Sequence, residues 1–212
     1  MTRTANRLAA VVDGSAAHVF VHPDGRCESG TVGSGTRIWA FAHVLAGAVI
    51  GRDCNICDHA FVEGDAVIGD RVTVKNGVLI WDGVTIGDDA FIGPGVVFTN
   101  DLTPRAHVKK TGGELIPTVV RSGATIGANS TVVCGVTIGR HAFVAAGSVV
   151  TRDVVDHAMV RGNPARQAGW VCSCGLALDE RLVCTCGRSY HLPDGQPTDL
   201  QPRGDNDVRD DQ

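Results

Sequence analysis

The chain repeats one hydrophobic pattern every six residues. From Val32 to Thr103, twelve consecutive hexads begin with Val, Ile or Phe and carry a mostly small residue at the fifth position. Neither the helical period of about 3.6 residues nor a strict alternation reproduces this pattern. Gly often follows the large residue, and polar or small residues come next, as in a turn after a short strand. Each hexad therefore predicts one short strand and one corner.

The same pattern resumes in a new phase at Val120 and supplies six more hexads, ending at Val155. A hexapeptide repeat in which three hexads close one triangular coil is typical of the parallel β-helix. The eighteen hexads predict an all-β fold, a β-helix of about six coils stacked about 4.8 Å apart around an aliphatic ladder. The alternative is a β-sandwich with coincidental spacing, which does not explain a phase kept through twelve hexads.

A charged segment, residues 104–119, interrupts the repeat after four complete coils. A solenoid tolerates an insertion at a corner, so we expect a loop that leaves the stacked strands undisturbed. Loops carried on rigid scaffolds are where function concentrates. Arg105, Lys109 and Lys110 give this loop a cationic character suited to a phosphorylated or carboxylated ligand, and His107 adds a titratable group. A solvated surface loop is the alternative.

Charge and hydropathy narrow the possible partners. Lys and Arg total 19 and Asp and Glu total 23, a net charge of −4, so no basic field favours nucleic acid. No apolar run approaches the roughly 18 residues of a membrane span, and the first residues lack a signal-peptide core. We therefore expect a cytoplasmic protein that binds neither nucleic acid nor a membrane.

Half of the eight cysteines lie in two Cys-x-Cys-Gly units near the carboxyl end. Two short Cys-bearing turns can bring four thiolates together in a tetrahedron, as in a zinc ribbon. One residue separates the cysteines of each pair where the usual knuckle has two, so reduced thiols or a disulfide pair remain alternatives. The predicted ligands of a structural zinc ion are Cys172, Cys174, Cys184 and Cys186.

These patterns divide the chain into four parts. An amino-terminal segment, 1–31, leads into a β-helix domain over 32–168, which is followed by the cysteine-rich ribbon at 169–192. The last part, 193–212, is too polar to bury anything and is predicted to be disordered.

Several stretches together resemble a known family. The hexads, "IWAFAHV", "VFTNDLTPR", "GATIGANSTVVCGVTIG", "AAGSVVTRDV" and "GNPARQAGW" are similar to the left-handed β-helix N-acetyltransferases that acylate an amino group on nucleotide-linked sugars. The resemblance covers about residues 20–170. It is strongest to enzymes acting on UDP-2-acetamido-3-amino-2,3-dideoxy-glucuronate and on dTDP-3-amino-3,6-dideoxyhexoses. It implies a left-handed helix, acetyl-CoA as the donor, and an active site between subunits of a homotrimer, in O-antigen, capsule or secondary-metabolite synthesis.

N-acetylation requires a free amine close to a thioester carbonyl and does not require a strong base. The resemblance gives the Asn of "FTN", Asn100, the role of holding the amine through its amide carbonyl. A plain turn residue is the alternative at this position. His43 ends its hexad and should face outward, where it would act as a base, contact another subunit, or pack there without chemistry. His107 is a second candidate base without a family counterpart.

The sugar-binding segment departs from the family pattern. Where the family has two successive asparagines and a tyrosine, this chain has Asn76, Gly77 and Trp81. The departure leaves the identity of the sugar open. Asn76 and Asp82 are the candidates for its polar groups, and neither the nucleotide, UDP or dTDP, nor the position of the amine is determined.

The resemblance places CoA in the groove between two prisms, against the backbone of the late coils. Small residues at the corners of those coils permit close approach of the ligand. Two arginines near the end of the ladder are candidates for the CoA phosphates. The predicted set is Ala128, Asn129, Ala146, Gly147, Arg152 and Arg166.

Two other functions fit the same fold. A γ-carbonic-anhydrase-like enzyme needs three histidines from two subunits around zinc, but His43 and His59 are sixteen residues apart, whereas stacking in register requires eighteen. A non-catalytic scaffold subunit is the second alternative. The "FTN" corner and the charged loop argue against it.

Overall fold

The computed structural model describes residues 18–110, 112–192 and 200–203. Its regular structure consists of short strands, most of them two residues long, and each strand of the solenoid pairs in parallel with strands one coil away. The predicted all-β parallel β-helix with a corner insertion is confirmed. No helix in these residues has the length and hydropathy of a membrane span.

Three sheets form the faces of the prism, and a two-stranded sheet lies near the carboxyl end. Sheet A contains, in pairing order, β1 (Phe20–Val21), β4 (Arg37–Ile38), β7 (Asn55–Ile56), β10 (Thr73–Val74), β13 (Phe91–Ile92), β16 (Thr125–Ile126), β19 (Phe143–Val144), β21 (Ala158–Arg161) and β22 (Arg166–Trp170). Sheet B contains β2 (Arg26–Cys27), β5 (His43–Val44), β8 (Phe61–Val62), β11 (Leu79–Ile80), β14 (Val97–Phe98), β17 (Thr131–Val132) and β20 (Val149–Val150). Sheet C contains β3 (Thr31–Val32), β6 (Val49–Ile50), β9 (Val67–Ile68), β12 (Val84–Ile86), β15 (Thr118–Val120) and β18 (Thr137–Ile138). The small sheet pairs β23 (Tyr190–His191) with β24 (Gln201–Pro202), and a 3-10 turn spans Gly112–Glu114.

The core is the ladder that the hexads predict. Within a strand the residue before the hexad start faces outward and the hexad start faces inward, because successive side chains of a strand point to opposite faces. Ile38 pairs with Ile56 on the next coil, and both are buried, as are the small residues Ala42 and Ala60 at fifth positions. Each buried Ile contributes about 1.5–3 kcal/mol relative to an exposed one. The repetition therefore stabilises every coil through its neighbours.

The solenoid is longer than the six coils predicted. Sheet A alone stacks eight parallel strands, because β1 and β21 add coils outside the eighteen hexads. Phe20 pairs with Arg37, so the segment 1–31, predicted to lead into the solenoid, contributes a coil strand from residue 20. Terminal coils contact a neighbour on one side only, so their residues need not repeat the strict hexad pattern. Residues 1–17 lie outside the described part of the chain.

The carboxyl-terminal expectation also needs correction. Leu200 is 4% exposed and packs in a small apolar cluster with Cys172, Cys184 and Tyr190. The segment 200–203 is therefore ordered and pairs through β24, contrary to the prediction of disorder over 193–212. Leu200 and the two-residue strand β24 make the ordering contacts, which the polar composition of 193–212 did not predict. Residues 193–199 and 204–212 lie outside the described residues.

Candidate active site and cysteine cluster

The charged loop leaves the prism between sheet B and sheet C. It follows β14 and ends where β15 begins, at Thr118, two residues earlier than the repeat pattern implied. The Ile116 N–H donates to the Asn100 carbonyl at 2.9 Å, and the Thr118 N–H donates to the Gly83 carbonyl at 3.1 Å. These bonds close the neck of the loop and return the chain to the coil in register. The described loop residues, 101–110 and 112–115, therefore leave a solenoid that is intact on both sides of them.

Asn100 lies at this neck on a backbone held from both sides. The preceding Phe98 is fully buried, and its carbonyl accepts a hydrogen bond from Trp81 Nε1 at 2.8 Å. The Cys134 N–H donates to Thr99 Oγ1 at 2.9 Å from the coil on the other side. Asn100 itself is half-buried. This arrangement holds an amide carbonyl and an amide N–H at a fixed corner, where the carbonyl can accept a hydrogen bond from a ligand amine.

The register aligns three predicted site residues in one column at the corner between sheets B and C. Asp82, Asn100 and Arg152 each lie three residues after the first residue of a sheet B strand, and those strands stack in register. Asp82 and Asn100 are on adjacent coils, about 4.8 Å apart along the prism. Arg152 is two coils beyond Asn100. Arg166 lies outside the column on β22, where its guanidinium donates to the Ala165 carbonyl at 2.8 Å.

A second column forms at the corner between sheets A and B. Asn76, Ala128 and Ala146 each lie three residues after the first residue of a sheet A strand. Asn129 and Gly147 follow with positive φ angles of 57° and 70°, and the Gly147 N–H donates to the Ala128 carbonyl at 2.8 Å. A Cβ at Gly147 would meet nothing within 4 Å. The predicted CoA residues of the late coils thus present small side chains and accessible backbone along one edge of sheet B.

His43 faces outward from sheet B, as expected, but far from Asn100. It is separated by three strand spacings, about 14 Å, from the coil that carries Asn100, so the structure does not bring the two together within one chain. His43 Nε2 lies 2.9 Å from Glu28 Oε1, and this hydrogen bond lowers the pKa of Glu28. His59 lies elsewhere, stacked on Phe41 with ring centroids 4.9 Å apart. A catalytic role for His43 stays a prediction.

Sequence reasoning missed an aromatic cluster on the same face. The Phe61 ring lies 5.8 Å from that of His43 and 5.7 Å from that of Trp81. Phe61 ends its hexad, and the last hexad position faces outward, so the sequence could have indicated an aromatic residue on this face. The three rings form a continuous aromatic surface beside the column of Asp82 and Asn100.

The cations of the loop have different partners. Lys110 Nζ forms an ion pair with Asp101 and lies 3.1 Å from Thr103 Oγ1, so it links the two limbs of the loop. The hydrogen bond from Lys110 lowers the pKa of Asp101. Arg105 is exposed at a turn, and Lys109 is exposed as well. We therefore assign Lys110 to holding the loop and keep Arg105 and Lys109 as candidates for ligand phosphates.

Replacing Lys110 tests this assignment. Lys110→Met keeps an apolar side chain of similar length but removes the charge. The ion pair with Asp101 is therefore lost, and the two limbs of the loop separate. We expect cleavage within 101–115 by a nonspecific protease to be several-fold faster, with thermal stability unchanged because the loop lies outside the coils. Arg105→Met, which alters an exposed loop cation, should leave the cleavage rate unchanged. Equal rates in both variants would contradict the assignment.

Comparison with known proteins identifies the family. The family model "Bacterial transferase hexapeptide (six repeats)" matches residues 29–64, 65–100 and 117–152, on either side of the loop. The chain belongs to this hexapeptide-repeat transferase family. Its sequence is 53% identical over 180 residues to dTDP-3-amino-3,6-dideoxy-alpha-D-galactopyranose 3-N-acetyltransferase of Aneurinibacillus thermoaerophilus, covering 83% of this chain and 92% of that protein. The predicted resemblance to nucleotide-sugar N-acetyltransferases, and the prediction of an acyltransferase, are confirmed.

Other proteins share less of this sequence. Arabidopsis thaliana serine acetyltransferase 4 is 48% identical over only 52 residues, 24% of this chain and 15% of that protein. A variant of AntD, an N-acyltransferase from Bacillus cereus, in complex with dTDP and coenzyme A, superposes with a TM-score of 0.51 at 17% identity, covering 72% of this chain and 84% of that one. The Francisella novicida UDP-N-acetylglucosamine acyltransferase gives 0.52 at 16% identity, covering 72% and 68%. These two structures show the shared fold.

The cysteine unit follows the family repeats, which end at residue 152. Its two Cys-x-Cys-Gly units adopt the same turn. The Cys172 N–H donates to the Leu176 carbonyl at 2.9 Å, and the Gly175 N–H donates to the Cys172 carbonyl at 2.8 Å. The second unit repeats both bonds twelve residues later, from Cys184 at 2.8 Å and from Gly187 at 2.9 Å. The unit is therefore two equivalent knuckles facing each other.

The four sulfurs converge between the knuckles. All lie within 4.8 Å of one another, with 3.6 Å from Cys172 to Cys186 and 3.5 Å from Cys174 to Cys184. A tetrahedral zinc ion with Zn–S bonds of about 2.3 Å separates its sulfurs by about 3.8 Å. Burial and then the neighbouring thiols raise the pKa of Cys184 to about 12. For Cys172 the opposing hydrogen bonds outweigh burial and lower the pKa to about 6. Thiolates so close together repel each other unless a cation lies between them.

Proposed function

We propose that the protein transfers the acetyl group of acetyl-CoA to the 3-amino group of a dTDP-linked 3-amino-3,6-dideoxyhexose. The observation that carries this proposal is the 53% identity, over 83% of the chain, to an enzyme named for that reaction. The intact "FTN" corner, with Asn100 on a fixed backbone at the neck of a cationic loop, supports it. A cytoplasmic location, where acetyl-CoA and nucleotide sugars are available, and a role in O-antigen synthesis belong to the same proposal.

The reaction joins the sugar amine to the acetyl carbonyl. The amine lone pair attacks the thioester carbon, a C–N bond forms, and the C–S bond breaks as the amine loses a proton and CoA leaves as the thiol. Asn100 accepts a hydrogen bond from the amine and aims its lone pair, and a positioned reactant gains much of its rate from orientation. Asp82, one coil away in the same column, would bind a sugar hydroxyl group, and Asn76, at the corner between sheets A and B, would bind one from a neighbouring subunit. The proton that the nitrogen loses is balanced by the proton that the CoA sulfur gains.

A homotrimer completes the proposed site. The outer face of sheet C presents a row of exposed side chains on stacked coils, the aliphatic Val49, Val67 and Val119 with Thr85 between the last two, and such a row suits a subunit seam. Two neighbouring prisms would then enclose a groove. The small residues at the corner between sheets A and B would face the CoA arm there, with Arg152 and Arg166 toward its phosphates. Light scattering of the purified protein should give the mass of three chains.

Arg105 is proposed to bind the nucleotide diphosphate from the loop, together with Lys109. In Arg105→Ala, KM for the sugar nucleotide should rise about 10-fold while kcat changes less than about twofold, because a phosphate contact is made equally in ground and transition states. Steady-state kinetics with varied sugar nucleotide measures this split. Arg181→Ala, which removes an exposed arginine from the cysteine unit, should match the wild type. A fall in kcat without a change in KM would contradict the role.

The substrate class is tested by thiol release from acetyl-CoA. Purified protein is incubated with acetyl-CoA and dTDP- or UDP-linked sugars that carry the amine at C3 or C4. A blank without sugar nucleotide measures background hydrolysis. Release should be fastest with the dTDP-linked 3-amino-3,6-dideoxyhexose. Faster release with a UDP-linked or 4-amino sugar would replace the proposed substrate, and no release with any sugar would favour a scaffold subunit.

We also propose that the four clustered cysteines hold one structural zinc ion. The donor set and the sulfur spacing fit a closed tetrahedral site, which sulfur ligands select for zinc or iron. Elemental analysis of the purified protein should find about one equivalent of zinc and no iron. Replacing Cys174 and Cys186, the two exposed sulfurs, by serine should abolish it, whereas Cys27→Ser should retain it. Equal zinc content in all three proteins would reject the site.

A further inference from the structure

The cysteine unit is docked on the last coil of the solenoid. Strand β22 runs antiparallel to β21, the last parallel strand of sheet A, and the Val171 N–H donates to the His157 carbonyl at 2.8 Å. Trp170 packs against the solenoid core and also against the small cluster formed around Cys172 and Cys184. The two hydrophobic clusters therefore share the Trp170 side chain. Unfolding of the small cluster would remove contacts from the last coil.

Tyr190 provides a second connection between the sulfurs and the solenoid. Its hydroxyl lies 3.3 Å from Cys172 Sγ and accepts a hydrogen bond from the Ser173 N–H at 3.1 Å. Its ring lies 5.0 Å from the ring of His157, which is buried on the last coil and bonds the Val171 carbonyl through Nδ1 at 3.0 Å. One residue thus contacts a cluster sulfur on one side and the solenoid on the other.

The position of the unit matters because a β-helix has an open edge at each end. An uncovered edge strand exposes unpaired N–H and C=O groups that pair readily with another chain, and solenoids require caps for solubility. Without the hairpin partner β22, strand β21 (158–161) would be such an edge. The segment 166–192 therefore covers the sheet A edge at this end of the solenoid, and we call it the cap.

The cap has few interactions of its own. Among the described residues, its cluster contains three buried side chains of the cap, those of Cys172, Cys184 and Tyr190, and Leu200 from the segment that follows. In the described residues, one isolated β-bridge joins the ends of each knuckle beyond its turn, Val171 with Ala177 and Val183 with Ser189. Units this small bury too little apolar surface to fold without disulfides or a metal, and in small metal-binding units the binding free energy is folding free energy.

Resting on the metal site proposed above, we infer that Zn²⁺ at the four cysteines keeps the cap folded over the carboxyl-terminal edge of the β-helix. Loss of the metal opens the cap and uncovers β21, while the coils below remain folded. The metal-free protein then associates through the uncovered edge.

Hydrogen exchange on the full-length protein tests this inference. The protein is measured as purified, after metal removal by a chelator with a thiol reductant, and after Zn²⁺ is added back. Amides of 158–192 should exchange about 10-fold faster or more in the metal-free sample, and those of 38–98 should be unchanged. Added Zn²⁺ should restore the slow exchange. Light scattering of the same samples should show larger particles only in the metal-free one.

Variants separate this inference from the metal site itself. Cys174→Ser combined with Cys186→Ser changes the two exposed sulfurs, so the packing around Cys172 and Cys184 is preserved. It should exchange like the metal-free wild type, and Cys27→Ser should exchange like the zinc-loaded protein. If elemental analysis finds no metal in the purified protein, the proposed site fails. If zinc is present and its removal leaves exchange over 158–170 unchanged, the site stands and the capping role is wrong.

Discussion

Asn100→Ala should lower kcat about 100-fold or more, while KM for acetyl-CoA changes less than about twofold. The amide carbonyl of Asn100 orients the attacking amine, and loss of positioning acts on the chemical step rather than on donor binding. The substitution leaves the backbone bonds of the neck in place, because Ile116 donates to the Asn100 main-chain carbonyl. Steady-state kinetics and thermal unfolding of the same preparation separate a chemical effect from a folding defect.

His107→Ala is the matched comparison for that measurement. His107 is an exposed loop histidine and, after His43, the second candidate base. We expect its kcat to stay within about threefold of the wild type. Should Asn100→Ala retain full turnover while His107→Ala loses it, the reacting amine lies in the loop and not at the neck.

Phe98→Ala should lower the free energy of unfolding by about 3–5 kcal/mol, the usual cost of truncating a buried Phe. Phe98 is fully buried and occupies a hexad-start position where other coils have Ile or Val, next to Val132 of the following coil. The cavity would lie directly beneath the neck of the loop. A fall in Tm of roughly 6–20 °C is expected for a protein of this size.

A second Phe98 variant separates volume from shape. Phe98→Leu keeps an apolar side chain at the site and should cost less than about 1.5 kcal/mol. Urea unfolding followed by circular dichroism measures both variants. Equal stability of Phe98→Ala and the wild type would show that the ladder does not determine the stability of this coil.

The interior of the solenoid was predictable because its physics is local and repeated. A residue such as Ile56 contacts its equivalents one coil above and below, so a spacing of eighteen residues determines both the fold and the neighbours. The first and last coils were not predicted. Phe20 and Ala158 lie in strands with a neighbouring coil on one side only, and the packing that enforces the hexad pattern is absent there.

The hexad pattern predicted which site residues share a corner of the prism, but it did not predict their hydrogen-bond and ion-pair partners. Hexad positions place Asp82 and Asn100 on one corner, and the structure agrees. The pairing of Lys110 with Asp101 depends on how the loop folds back, which no repeat specifies. The same holds for His43 and Glu28, which are fifteen residues apart, because Glu28 lies in the first coil, whose hexads were not recognised.

The cysteine cluster was predicted from spacing alone, since two Cys-bearing turns have few other ways to satisfy their sulfurs. Its docking was not predicted. The contacts of Trp170 and Tyr190 with the last coil join segments whose sequence shows no shared period.

The central claim is tested most directly by identifying the product. The protein is incubated with acetyl-CoA and dTDP-3-amino-3,6-dideoxygalactose, and the nucleotide sugar is isolated and examined by mass spectrometry and NMR. The account predicts a gain of one acetyl group, as an amide at the C3 nitrogen. An unchanged nucleotide sugar, or an acetyl group on a hydroxyl oxygen, would contradict it.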